Sequence, residues 1–128
     1  MPKKILIVED EPGILSALQF LMEQQGYNVL TAESGEFALE LIYQYNPDLV
    51  LLDIMLPGID GWEVCKIVHL NPDCRNIKII FLTAKNNAAA IAKGLALGGD
   101  AYITKPFKND ELVTKVKELL EKNHKNDF

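Results

Sequence analysis

The 128-residue chain predicts an α/β fold: five βα units, (βα)5, wound on both sides of a parallel five-stranded sheet to give a three-layer sandwich. Five short apolar runs recur at even spacing, the apolar period between them changes to that of a helix, and the length suits one domain. Such a chain buries about two-thirds of the surface it exposes when unfolded, so no disulfide framework is required.

The strands are expected at Ile5 to Val8, Asn28 to Thr31, Leu49 to Leu52, Ile77 to Leu82 and Ala101 to Thr104. The first, third and fourth are apolar at nearly every position, as parallel strands covered on both faces should be. Helical stripes follow in turn: Ile14, Leu15, Leu18, Leu21 and Met22; then Ala38, Leu41, Ile42 and Tyr45; then Val64, Cys65 and Val68. The fourth is read as Ala88, Ile91, Ala92 and Leu95, and the fifth as Leu112, Val113, Val116, Leu119 and Leu120. Pro12 suits a first helical turn, Ser34 suits an N-cap, and Gly26 and Gly98-Gly99 stand where helices should stop. The domain is expected over residues 1–121, with 122–128 a polar tail, or the start of a linker, that frays.

Acidic residues number 18 against 13 basic ones, a net charge of −5, which opposes direct binding of nucleic acid. Cys65 and Cys74 have no histidine cluster beside them, which argues against a zinc site and fits reduced thiols. No apolar run approaches the ~20 residues of a membrane span. The Met-Pro-Lys-Lys start lacks the features of a secretory signal, and a cytoplasmic location without membrane association is expected.

In an open parallel sheet, the loops beyond the carboxyl ends of the strands converge on a crevice. The first strand is followed by Glu9-Asp10-Glu11, the third by Asp53, the fourth by Thr83 and the fifth by Lys105-Pro106. Singly, each has a plain explanation: a solvated turn, a turn initiator, a strand-end hydroxyl, a surface lysine. Together they place carboxylates, a hydroxyl and an ammonium on one rim. Glu9, Asp10 and Asp53 would crowd negative charge, which a divalent cation relieves, and a few hard oxygen ligands favour Mg²⁺ over Zn²⁺ or Ca²⁺. Lys105 is a point charge suited to a phosphoryl group. The set describes phosphoryl transfer onto a carboxylate, with Asp53 the best nucleophile.

Val8-Glu9-Asp10-Glu11, Leu52-Asp53-Ile54-Met55-Leu56-Pro57-Gly58 with Asp60-Gly61, Leu82-Thr83-Ala84 and Tyr102-Ile103-Thr104-Lys105-Pro106-Phe107 resemble the response-regulator receiver domain of two-component signalling, the CheY-like superfamily. The likeness spans residues 3 to 121 and implies the flavodoxin-like strand order 2-1-3-4-5. It implies that Asp53 accepts a phosphoryl group from a histidine kinase or phosphotransfer protein. Glu9, Asp10, Asp53 and the backbone carbonyl of Met55 would hold Mg²⁺, partly through water, with Mn²⁺ a substitute. Lys105 would pair with the phosphoryl group, Thr83 would turn its hydroxyl toward it, and Ala84 would leave the approach open. Met55 and Lys85 would flank the group and tune its hydrolysis. Tyr102 would rotate inward, changing the face of the fourth helix, fifth strand and fifth helix (the 4-5-5 face) for a partner or output domain. The resemblance also implies a cis Lys105-Pro106 bond, allows a phosphorylation-dependent homodimer, and makes the domain a signalling phosphoacceptor that promotes only its own phosphorylation and dephosphorylation.

Some positions depart from the DNA-binding winged-helix class of regulators: Gly99-Asp100-Ala101 replaces two successive acids, and Lys115 and Lys117 stand where arginine is common. Asn86-Asn87-Ala88-Ala89-Ala90 opens the fourth helix without acids, leaving either a stable turn or a shallow apolar docking patch. Trp62 is read as packing. A flavin-binding electron carrier fits poorly, because Glu9-Asp10-Glu11 would repel a phosphate. An aspartyl phosphatase would place its nucleophile after the first strand and carry a cap. A phosphorylation-independent interaction module would not need Asp53, Thr83 and Lys105 together.

Overall fold

The computed structural model describes residues 2–125, with side chains described through Glu121. Its elements are β1 (Lys4–Val8), α1 (Pro12–Gln24), β2 (Asn28–Ala32), α2 (Gly35–Tyr45), β3 (Leu49–Leu52), α3 (Gly61–Leu70), a 3-10 turn (Pro72–Cys74), β4 (Lys78–Thr83), α4 (Ala88–Ala96), β5 (Ala101–Thr104) and α5 (Asn109–Lys125). All strand pairs are parallel, in the order β2-β1-β3-β4-β5. This is the expected doubly wound α/β architecture.

Alternation along the strands divides the core into two layers. Leu6, Val8, Val50, Leu52, Ile79 and Phe81 pack with Ala38, Ile42, Val64, Cys65 and Val68 of α2 and α3. Ile5, Ile7, Leu49, Leu51, Ile80 and Leu82 pack with Leu18 and Met22 of α1 and with Leu112, Val116, Leu119 and Leu120 of α5. Every residue of β3 is buried, which explains why this strand reads as a continuous apolar run. The helix ends follow local chemistry. Pro12 opens α1, and the Ser34 hydroxyl accepts the Phe37 amide at 3.2 Å. Gly26 and Gly98, at φ +90° and +112°, supply the left-handed residue on which α1 and α4 stop.

Three expectations need adjustment. Ile77 precedes β4, because its amide donates to the Cys74 carbonyl and closes the 3-10 turn before the ladder begins. The stripe Ala88, Ile91, Ala92 and Leu95 is not the buried face of α4. Ala88 and Ala92 are exposed, Leu95 is 47% exposed, and Gly94 alone in the helix is buried. A Cβ on Gly94 would come within 3.0 Å of the Phe81 ring and 3.1 Å of the Tyr102 ring, so the line of closest approach runs through a residue with no side chain. Hydrophobic periodicity cannot register that line. Finally, α5 continues through Lys125, so the first residues of the expected polar tail are helical; 126–128 lie outside the described residues.

Cys65 and Cys74 are free and buried, and burial pushes the Cys65 thiol up to about 12. Only the thiolate is an effective nucleophile. Ellman's reagent should therefore spare both thiols in the native protein and titrate both after unfolding in guanidinium. Prompt reaction before unfolding would contradict the packing.

Candidate functional site

Sheet register builds the site. Val8 of β1 pairs with Leu52 of β3, and Leu52 with Phe81 of β4, so Glu9 and Asp53 each stand one residue past a paired row. The ladder continues beyond the strands. The Glu9 amide donates to the Ala32 carbonyl at 3.0 Å, and the Asp53 amide donates to the Val8 carbonyl at 3.1 Å. On the other side Thr83 pairs with Thr104, and the Lys105 amide donates to the Thr83 carbonyl at 2.8 Å. Lys105 thus leaves the sheet higher than Asp53, and its long side chain reaches back across the edge. Its peptide bond to Pro106 is cis, as expected.

Carboxylate oxygens of Glu9, Asp10 and Asp53 lie within 4.8 Å of one another. Glu9 is 2% exposed and Asp53 7%, while Asp10 is open to solvent. Lys105 Nζ lies 2.5 Å from Glu9 Oε1 and 3.3 Å from Asp53 Oδ2. The remaining oxygens are also engaged: Glu9 Oε2 accepts the Glu11 amide at 3.2 Å, and Asp53 Oδ1 accepts the Met55 amide at 3.3 Å. Burial raises the Glu9 pKa, offset in part by the Lys105 and Glu11 hydrogen bonds and the Lys105 charge, and reinforced by the charge of Asp53. Burial alone would lower the Lys105 pKa, but the hydrogen bond to Glu9 and the charges of Asp53 and Glu9 outweigh it, so the pKa is raised and the ammonium is held charged.

Among the described residues, Lys105 is the one cation paired with this cluster, and no cation pairs with Asp10. Three acids against one ammonium, all hard oxygen donors, fit a small divalent cation.

Thr83 is fully buried at the end of β4, and its Oγ1 lies 3.5 Å from the Lys85 amide. Tyr102 is half-buried, its ring tilted against Phe81 at 5.8 Å, and its hydroxyl donates to the Lys85 carbonyl at 2.8 Å. Burial, aided by the charge of Asp53, raises its pKa. Ala84, Lys85 and Met55 are exposed around the rim. Trp62 packs, as expected, with its ring 5.3 Å from that of Phe81 and Lys93 Nζ 4.9 Å above it.

A family model for the response regulator receiver domain matches residues 5–117. The chain belongs to that family. A protein described as a response regulator from Chloroflexus aurantiacus J-10-fl is 39% identical, with 94% of this chain and 99% of that one covered at a TM-score of 0.90. A CheY-like receiver domain protein from Methanospirillum hungatei JF-1 is 34% identical, covering 98% and 99% at 0.91. The BeF3-activated DrrB receiver domain is 33% identical, covering 94% and 99% at 0.86. The chain is thus a receiver domain of two-component response regulators, a family of signalling phosphoacceptors, and no helix among its described residues is long and apolar enough to cross a membrane.

In this receiver domain, Gly61 is a site residue whose reason the sequence does not disclose. A Cβ there would strike the Asp53 carbonyl oxygen and come within 2.7 Å of the Ile54 Cα, while the Gly61 amide donates to the Ile54 carbonyl at 2.9 Å. The start of α3 thus presses on the backbone that carries Asp53. Gly61→Ala should lower stability by about 1–3 kcal/mol through overpacking. Urea unfolding measures this, and an unchanged midpoint would mean the loop yields freely.

Proposed function

We propose that the domain is a phosphorylation-dependent switch that takes a phosphoryl group on Asp53 from the phosphohistidine of a histidine kinase or phosphotransfer protein. One observation carries the reading: the Asp53 carboxylate stands between two further acids and the Lys105 ammonium, at the open edge of an otherwise apolar sheet. An Asp53 oxygen attacks phosphorus, the phosphorus–nitrogen bond breaks, and its electron pair stays with the departing imidazole, which takes a proton. Lys105 pairs with the phosphoryl oxygens as their charge develops. Glu9, Asp10, Asp53 and the Met55 carbonyl would hold Mg²⁺, or Mn²⁺ in its place, partly through water. When bound, the cation offsets charge on the phosphoryl group and the acids.

BeF3, isosteric with a phosphoryl group, activates the DrrB relative, and this supports the reading. Ala84 leaves the approach open, while Met55 and Lys85 flank the group and tune its lifetime. Thr83 turns toward the phosphoryl group, the β4–α4 loop moves with it, and Tyr102 is carried along through its bond to Lys85. The 4-5-5 face then presents a changed surface to an output domain, a target protein or a second copy of the domain. The domain works in the cytoplasm, without binding nucleic acid or membrane itself, and promotes no reaction beyond its own phosphorylation and dephosphorylation.

Acetyl phosphate with Mg²⁺ should give an acid-stable, base-labile adduct, absent in Asp53→Asn and after chelation. Folded protein that takes no label would favour an interaction module independent of phosphorylation. Lys105→Ala should still bind Mg²⁺ by calorimetry yet fail to pass the change to the 4-5-5 face, and normal partner binding by that phosphorylated variant would refute the assigned role.

A further inference from the structure

The loop from Asp53 to Gly61 carries both the acceptor and the Met55 carbonyl. Its ends are tied down, by the Asp53 amide on β1 and the Gly61 amide on Ile54. Its middle packs on the core through Leu56 and Ile59, but among the described residues no backbone amide from Gly58 to Asp60 bonds to the backbone of another element. A side chain of α2 makes that connection. Glu36, in the first turn, accepts the Ile59 amide on Oε2 at 3.3 Å, and its carboxylate occupies the space a Cβ on Gly58 would need. The preceding Gly35 packs so closely that a Cβ there would come within 2.6 Å of the Ile59 carbonyl oxygen. The N-terminus of α2 therefore abuts the loop, and the Glu36 carboxylate fixes how the two are aligned.

We infer that Glu36 is a positioning residue for phosphoryl transfer: by holding the Ile59 amide it sets the loop that presents Asp53 and the Met55 carbonyl to Mg²⁺. Glu36 lies outside the Glu9, Asp10 and Asp53 cluster, so it acts through the loop rather than on the cation. The inference rests on Asp53 being the acceptor. Glu36→Ala should raise the Mg²⁺ concentration for half-maximal labelling by acetyl phosphate about threefold to tenfold, the net scale of one ordinary intramolecular hydrogen bond. The rate at saturating Mg²⁺ should stay within about twofold, a division that general destabilisation does not produce. Calorimetry with Mg²⁺ alone should show the same weakening, and the Ile59 amide should exchange faster with deuterium. Glu36→Gln, which keeps an oxygen acceptor and loses the charge, should restore most of the affinity.

Wild-type protein that takes no label on Asp53 overturns the acceptor reading, and the role of Glu36 in transfer with it. Labelled wild type whose Glu36→Ala variant has the same Mg²⁺ dependence overturns the role of Glu36 alone. So does Glu36→Gln proving as impaired as Glu36→Ala, which would assign the effect to charge rather than to the hydrogen bond.

Discussion

Three carboxylates share the end of a parallel sheet with one ammonium, and much of the molecule is arranged around that imbalance. Like charges at such separations repel by roughly 3–4 kcal/mol per pair at an effective dielectric of about 20. A single lysine leaves part of that repulsion in place. The sheet can sustain it because β1 and β3 are buried throughout their central residues and paired in register, so the backbones under Glu9 and Asp53 cannot separate to relieve it. Stability of the two apolar layers thus sustains an unfavourable charge arrangement at the edge, and on the proposed function that arrangement is what draws a cation and a phosphoryl group.

Residues at the site were legible in the sequence where sheet geometry alone places them. Glu9, Asp10, Asp53 and Lys105 follow strands and Thr83 ends one, and any parallel order that brings β1, β3, β4 and β5 side by side gathers their ends on one rim. Contacts made by loops were not legible. The place of Gly61 against the Asp53 carbonyl, the reach of Glu36 to Ile59 and the bond from Tyr102 to Lys85 depend on how separate segments approach in space. None of these leaves a periodic trace. The inner face of the fourth helix escapes the sequence pattern for a related reason: its inner line passes through Gly94, and a pattern of apolar side chains cannot mark a contact made by backbone.

That helix matters to how a change at Asp53 could be read elsewhere. α1, α2, α3 and α5 each place at least one large apolar side chain in a core layer, whereas α4 buries only Gly94. Moving it therefore disturbs little buried surface, and elements of low local stability are the ones that conformational switches use. Tyr102 lies at its edge, its ring tilted against Phe81 and its hydroxyl bonded to the loop that leads into α4. Phe81 also meets Trp62 and the space beside Gly94, so one buried ring touches α3, α4 and β5 together.

On the proposed mechanism, the same lysine must serve two partners in succession. Lys105 stands closer to Glu9 than to Asp53, and Glu9 is the more deeply buried acid. Withdrawing the ammonium would leave a buried carboxylate with only the Glu11 amide to offset its burial, a loss larger than a surface ion pair ever represents. Glu9 can release Lys105 cheaply only when another positive charge stands beside it. A phosphoryl group on Asp53, bringing about −1.5 to −2 units of charge, can then draw the lysine over without stranding Glu9. The cation requirement and the lysine requirement are in this way one electrostatic condition. Each tenfold change in the balance of the two forms needs about 1.4 kcal/mol of differential interaction, well within what one charge-assisted contact supplies.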